Sequence, residues 1–476
     1  MSAKTLPDLQ GINWAADLHW FTFNELNLLL DVNSGALHII DAPTREVLAE
    51  LARAGEDPDF SLPHSTRLYG EKVVQEVLAE LARCQEEGSL FTRDVAAGTY
   101  RPPEPLLQAL CLHVSHDCNL RCTYCFAGGG PFGGERGLMP AEVGRAALDL
   151  LLKLSGPRRR IEVDFFGGEP LLNFPVVQDL IAYGRASAAA RGKEISFTLT
   201  TNGLGLTPEV GDFLNRHGVS VILSLDGRPE THDRYRRLPG GRGSYNLVVP
   251  RLREFVASRG HHDYWVRGTF TRSNLDFSRD AEHLLELGFR FLSLEPVVAT
   301  PEVPYSLRPE DIPALRAEYE RLASLYWEAR LQGQPFEFFH FNLDLGGGPC
   351  LNKRLYGCGA GLSYLAVTPT GDLYPCHQLV GRPDLRLGHV KRGIERRDLQ
   401  EEFRQAYVYN KPRCSGCWAR FYCSGGCHAA ALLANGSLKD PEVVSCALQQ
   451  IRLEAGLYLL AKSQIKFLDV AGFTAL

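Results

Sequence analysis

The chain has 476 residues, of which 45% are hydrophobic and 22% charged, with a formal net charge of −5. Those values fit a globular protein of two or three domains. They argue against a nucleic-acid partner held by phosphate neutralisation. The sequence has no run of about 18 apolar residues, which argues against a membrane span, and the N-terminal stretch lacks the apolar core of a secretory signal. The expected location is the cytoplasm. There the thirteen cysteines would be thiols or thiolates rather than disulfides.

The first region, 1–100, opens with FTFNELNLLLDVNSGALHIID, read as two strands joined by Asn33-Ser34-Gly35. Helical patterns follow at 43–53 and 71–86, and then a short strand around Leu90-Phe91. This order predicts a small winged-helix-like module or a cap on the next domain. Prolines 102, 103 and 105 mark a linker.

The second region, 106–335, alternates strand and helix. Strands are predicted at 111–114, 161–166, 195–201, 219–225, 264–270 and 289–297, with amphipathic patterns such as PAEVGRAALDLLLKL and DAEHLLELG between them. Six such units predict an α/β fold, a partial (β/α)6 TIM-like barrel whose chemistry gathers at the strand C-termini. The third region, 336–476, is rich in Gly and Cys and short on regular periodicity. It predicts a weak hydrophobic core supplemented by metal clusters.

Cys118-x3-Cys122-x2-Cys125 follows directly on the first barrel strand. Three thiolates at this spacing suit an iron–sulfur cluster with one open iron, or a structural zinc with a distant fourth ligand. With an aromatic residue before the last cysteine, the motif resembles the signature of the radical S-adenosylmethionine superfamily. Gly167-Gly168-Glu169-Pro170, Thr200-Thr201-Asn202-Gly203 and Ser224-Leu225-Asp226-Gly227 end the second, third and fourth strands, as in that family.

The resemblance implies S-adenosylmethionine held by Tyr124, Phe126, Gly167, Gly168, Glu169, Thr201, Asn202, Ser224, Arg236 and Val297. Ser224 and Arg236 would meet the methionine carboxylate and ribose, and Val297 with Val298 the adenine. The bland alternatives are an exposed helix charge for Arg236 and a strand-end core position for Val297.

The tail reads Cys358-x12-Gly371-x4-Cys376, then Cys414-x2-Cys417-x5-Cys423-x3-Cys427, then Cys446. It resembles the SPASM extension of radical enzymes that modify peptides. A zinc ribbon on Cys414 to Cys427 would leave Cys358, Cys376 and Cys446 idle. The resemblance implies three 4Fe–4S clusters in all. Cys414, Cys417, Cys423 and Cys446 would hold an outer auxiliary cluster, and Cys358, Cys376 and Cys427 an inner one. Cys350 or a substrate cysteine would complete the inner set. Cys84 and Cys111 are expected to be buried thiols.

Segments along nearly the whole chain, among them CLHVSHDCNLRCTYCFAGGG, GGPCLNKRLYGCGAG and ARFYCSGGCHA, resemble the maturases of SCIFF peptides. One departure is His428 after Cys427. The resemblance implies a thioether (sactionine-type) bond between a cysteine sulfur and a backbone carbon of a cysteine-rich precursor peptide. It also implies leader binding by the N-terminal module and a low-potential donor such as ferredoxin or flavodoxin. Another peptide modification on the same scaffold, cross-linking of an amine dehydrogenase subunit or formylglycine-type oxidation, is the alternative.

Overall fold

A computed structural model describes residues 6–55, 61–343 and 351–470. The chain begins with a three-stranded antiparallel meander, β1 (Leu18–Phe23), β2 (Leu26–Asp31) and β3 (Leu37–Ile39). FTF therefore belongs to a strand of its own, and the expected single hairpin is two. Helices α1 (Ala42–Ala54), α2 (Pro63–Tyr69) and α3 (Glu71–Glu86) follow. Asp41 caps α1 by accepting the Thr44 N–H, with Pro43 in the first turn.

The strand expected at Leu90-Phe91 is absent. Phe91 has a φ of +54°, which a ladder does not accommodate, and both side chains fill a local core with Leu29, Val47 and Leu78. The meander has two apolar faces. Leu18 and Leu29 serve this local core, while Phe21, Phe23, Leu28 and Leu30 face the main one.

The central sheet carries six parallel strands, β4 (Ala109–Ser115), β5 (Arg160–Gly167), β6 (Glu194–Thr201), β7 (Ser220–Ser224), β8 (Tyr264–Phe270) and β9 (Phe291–Pro296). All six coincide with predicted strands. Between and after them run α4 (Ala141–Leu154), α5 (Phe174–Ala189), α6 (Pro208–Arg216), α7 (Pro229–Tyr235), α8 (Tyr245–Ser258), α9 (Phe277–Glu286) and α10 (Ile312–Leu331). The six strands do not close on one another. The outer edge of β9 bonds β10 (Glu337–Phe338), and that of β4 bonds β11 (Tyr364–Val367), both in parallel.

β12 (Asp372–Tyr374), β13 (Gly388–His389) and β14 (Gly393–Ile394) extend the same sheet antiparallel beyond β11. Short helices α11 (Leu351–Tyr356), α12 (Arg397–Arg404), α13 (Pro412–Ser415), α14 (Arg420–Cys423) and α15 (His428–Asn435) carry the chain to α16 (Val443–Val470). The expectation of a weakly cored, aperiodic third region is overturned. Leu365, Val367, Leu373, Phe403, Leu448 and Tyr458 belong to the main hydrophobic core, and α16, at 28 residues, packs along α10. No described helix is long and apolar enough to cross a membrane.

Candidate active site

One cleft opens at the C-terminal ends of the parallel strands. Cys118, Cys122 and Cys125 line it together with Tyr124, Phe126, Gly167, Gly168, Glu169, Thr201, Asn202, Ser224, Arg236 and Val297. Every cofactor and first-cluster residue expected from the sequence therefore meets in one place.

The cysteine loop is built onto the strand-end turns by hydrogen bonds. Glu169 is buried and its carboxylate accepts from the Thr201 hydroxyl (2.8 Å), the Asn202 N–H (2.8 Å) and the Leu171 N–H (3.1 Å). Burial pushes this carboxyl up to about 7, against those three donors. Asn202 in turn donates to Asn119 Oδ1 at 2.8 Å and lies 3.7 Å from Cys118 Sγ. On the far side, Arg121 and Thr123 donate backbone N–H groups to the carbonyls of Arg237 (2.7 Å) and Tyr235 (3.2 Å).

The glycines of the Gly167-Gly168 turn serve the protein's own backbone. A Cβ at Gly167 would stand 2.2 Å from Ser115 O, and one at Gly168 2.2 Å from Asp117 O. The turn is thus pressed against the root of the cysteine loop, and Gly167 has a φ of +121° that suits glycine alone.

Arg236 is not an exposed helix charge. Its side chain retains 11% of its exposure, and Nε donates to Asp226 Oδ1 at 3.0 Å. Asp226, itself buried, also accepts from the Tyr124 hydroxyl (2.6 Å) and the Thr269 N–H (3.0 Å). The guanidinium carbon lies 5.6 Å from the Tyr124 ring centroid. Asp226, absent from the expected site residues, is the hub that fixes Arg236 beside Cys122.

Burial pushes the Cys118 thiol up to about 11 and the Cys122 thiol to about 12. Burial thus opposes thiolate character at Cys118 and Cys122, which a bound metal centre would favour. A cradle of three thiols with an amide and an N–H (Leu120 to Cys118 Sγ, 3.4 Å) directed at sulfur fits a thiolate-ligated cluster.

Sequence reasoning missed the floor of the cleft. Arg267 on β8 and Glu295 on β9 line it, as do His377 and Gln378. Arg267 is exposed, and its charge acts on the neighbouring Glu295 carboxyl. Glu295 accepts from His340 (2.9 Å) and Ser293 (2.9 Å). Although burial opposes it, the His340 contact helps hold this carboxyl well below its usual range.

His377 and Gln378 directly follow Cys376, so the C-terminal cysteine segment forms part of the cleft wall. The Gln378 N–H donates to Cys376 Sγ at 3.4 Å. Cys414, Cys417, Cys423 and Cys446 influence one another electrostatically, as do Cys358, Cys376 and Cys427. Burial pushes Cys414, Cys423 and Cys446 up to about 11. Cys350 lies outside the described residues. Cys111 is buried, as expected, whereas Cys84 is only half-buried. His428 is buried and pairs with Ala406 O at 3.2 Å, a packing role.

Fold and site define an α/β enzyme scaffold with a cysteine-triad cleft, and residues 112–264 match the Radical SAM superfamily. The matched segment contains the cysteine triad and the strand-end turns that line the cleft. A cysteine-type anaerobic sulfatase-maturating enzyme of Clostridium novyi (strain NT) is 24% identical over 346 residues, covering 67% of this chain and 87% of that protein. The mycofactocin maturase MftC of Mycobacterium tuberculosis (strain ATCC 25618 / H37Rv) is 28% identical over 348 residues, covering 70% and 82%.

Two solved structures share the fold. Native anSMEcpe with bound AdoMet superposes with a TM-score of 0.63 at 22% identity, covering 75% of this chain and 99% of that one. Streptococcus suis SuiB bound to S-adenosylmethionine gives 0.52 at 15% identity, covering 90% and 98%.

Proposed function

We propose that this chain is a radical S-adenosylmethionine maturase that installs a thioether between a cysteine sulfur and a backbone carbon of a cysteine-rich, SCIFF-like precursor peptide. The observation that carries the reading is the shared cleft: the Cys118/Cys122/Cys125 loop forms one wall, and the segment after Cys376 another. A peptide in that cleft would lie between the cysteine triad and the segment that directly follows Cys376. The sequence similarity to maturases supports the same class of substrate.

In this reading residues 1–100 form a winged-helix-like leader-recognition module, 106–335 the radical domain and 336–476 a SPASM domain. Cys118, Cys122 and Cys125 hold the first cluster. Cys414, Cys417, Cys423 and Cys446 hold the outer auxiliary cluster, and Cys358, Cys376 and Cys427 the inner one, completed by Cys350 or the peptide. Clusters on these thiols would supply the electron that splits S-adenosylmethionine into methionine and a 5′-deoxyadenosyl radical, and take up the electron left over when sulfur joins carbon.

The chain's own residues orient the reactants. Ser224 and Arg236 receive the methionine carboxylate and ribose, and Val297 lies against the adenine. Arg267 and Glu295 offer a donor and an acceptor to a peptide unit at the floor. The leader pairs with the β3 edge, where Ile39 is 45% exposed. In the net change one C–S bond forms, the acceptor hydrogen leaves in 5′-deoxyadenosine, and the thiol proton goes to solvent.

The test is anaerobic incubation with reductant, S-adenosylmethionine and a candidate peptide, followed by mass spectrometry. The product should weigh two hydrogens less, with one cysteine resistant to alkylation. A peptide consumed with any other mass change would rule out thioether formation.

A further inference from the structure

The tail carries a charge that the reaction scheme above does not use. Lys411 is 0% exposed, although lysines are almost never fully buried without an anionic partner. Among the described residues its ammonium makes one hydrogen bond, to the carbonyl of Gly425 at 2.8 Å. That carbonyl offers a neutral acceptor, and an ammonium has three N–H groups to place.

The surroundings show what the charge faces. Lys411 opens the turn into α13, where its own carbonyl accepts the N–H groups of Cys414 (2.9 Å) and Ser415 (3.0 Å). Its side chain crosses to the Ser424-Gly425-Gly426 loop, which separates Cys423 from Cys427. A Cβ at Gly425 would stand only 3.3 Å from Nζ and 3.4 Å from Cδ, so glycine there makes room for the lysine. Cys414, Cys423, Cys358 and Cys427 are among the thiols that act electrostatically on this ammonium. Two of these belong to each cysteine set.

With neutral thiols around it, the buried ammonium is uncompensated. With thiolate-ligated clusters on both sets, it faces negative charge on two sides. We infer that Lys411 is a positioning residue whose ammonium lies between the two auxiliary iron–sulfur sites, offsets the negative charge of both and sets their reduction potentials together. This rests on the proposed assignment of two clusters to the C-terminal cysteines. A cation beside a cluster favours its reduced, more negative state, so removing it moves the potential downward.

The experiment compares the wild-type chain with K411Q and K411M, each reconstituted anaerobically with iron and sulfide. Iron is counted, and the clusters are titrated by potentiometry with EPR detection. K411Q loses the charge but retains a donor for the Gly425 carbonyl; K411M loses both. The signal that changes on adding S-adenosylmethionine serves as the internal control.

Both variants should show the two auxiliary signals at more negative potentials than wild type, or lose one of them with its iron, while the control signal stays in place. K411Q with wild-type iron and wild-type potentials would overturn the inference, since the lysine would then serve only as a donor to Gly425. Loss of the control signal as well would also overturn it, by showing a general role in folding. Wild-type protein whose iron suffices only for the first cluster would remove the underlying assignment, and it would do so before any variant is compared.

Discussion

Asp226 concentrates more of the site's organisation than any cysteine. Its carboxylate accepts from Tyr124, Arg236 and Thr269 at 2.6–3.0 Å with almost no solvent access. In Asp226→Ala the buried Arg236 loses its partner, a change that costs about 3–5 kcal/mol when a buried pair is broken from one side. Denaturant unfolding should show a loss of that order, and the variant should bind S-adenosylmethionine at least about tenfold more weakly, or about 1.4 kcal/mol. A variant unchanged in both would show that Arg236 needs no anchor.

Arg267 makes the opposite prediction. Arg267→Met should raise the peptide KM at least about tenfold and leave peptide-independent cleavage of S-adenosylmethionine at the wild-type rate. Equal loss of both would place Arg267 on the cofactor instead.

These two residues also show what could be read in advance. Asp226 lies inside the Ser224-Leu225-Asp226-Gly227 segment, but a spacing says nothing of which side chain anchors which. Arg267 had a usable signal. In YWVRGTF it shares the face of Trp265 and Thr269, and a charge in mid-strand on a buried sheet must point into a lumen or a partner.

At the scale of elements, the Gly167-Gly168 turn is the contact that holds the cysteine loop. Gly168→Ala places a methyl against Asp117 O and the Gly130 Cα, an overpacking that costs about 1–3 kcal/mol. Iron bound at the first site should fall on reconstitution. Gly137→Ala, where an added Cβ meets nothing within 4 Å, should behave as wild type, and equal iron in both variants would contradict the packing argument.

Most of the parallel strands are legible from alternation, as in β5, which buries Ile161, Val163 and Phe165, while β4 is legible as a short continuous apolar run. Helix α16 was not. Leu448, Ile451, Leu453, Ala455, Leu457, Tyr458 and Leu459 are all buried, so the helix is covered on most sides and shows no amphipathic stripe. The Leu90-Phe91 pair failed for the converse reason. Two apolar residues in a row look like a strand, but a φ of +54° turns both into the local core.

Across the whole molecule, the N-terminal module and the cysteine-rich tail are locked by a buried arginine. Arg420 donates to Asp17 Oδ1 at 2.8 Å and Asn33 Oδ1 at 2.7 Å, and nearby His19 stacks on Trp418 at 3.7 Å between centroids. Sequence could not show this tie, because the partners lie some four hundred positions apart.

Protonation acts globally too. Burial holds His116, His340, His377 and His428 near 4 and His232 near 3, so between pH 6.5 and 4 the unfolded chain binds more protons at these groups. Stability from the neutral histidines is therefore lost as pH falls through that window. Glu169 and Asp164, raised by burial to about 7 and about 6, act in the opposite sense but are fewer. Calorimetry should find the melting temperature rising from pH 5 to 7, and a fall across that range would contradict the balance.

The cysteine triad is proposed as the start of the chemistry. Its most direct test is the 5′-deoxyadenosine formed when the reconstituted chain meets reductant and S-adenosylmethionine without oxygen. Wild-type protein should form it, and the Cys118→Ala/Cys122→Ala/Cys125→Ala variant should form none. Equal yield from the triple variant, or no product from fully reconstituted wild type, would contradict it.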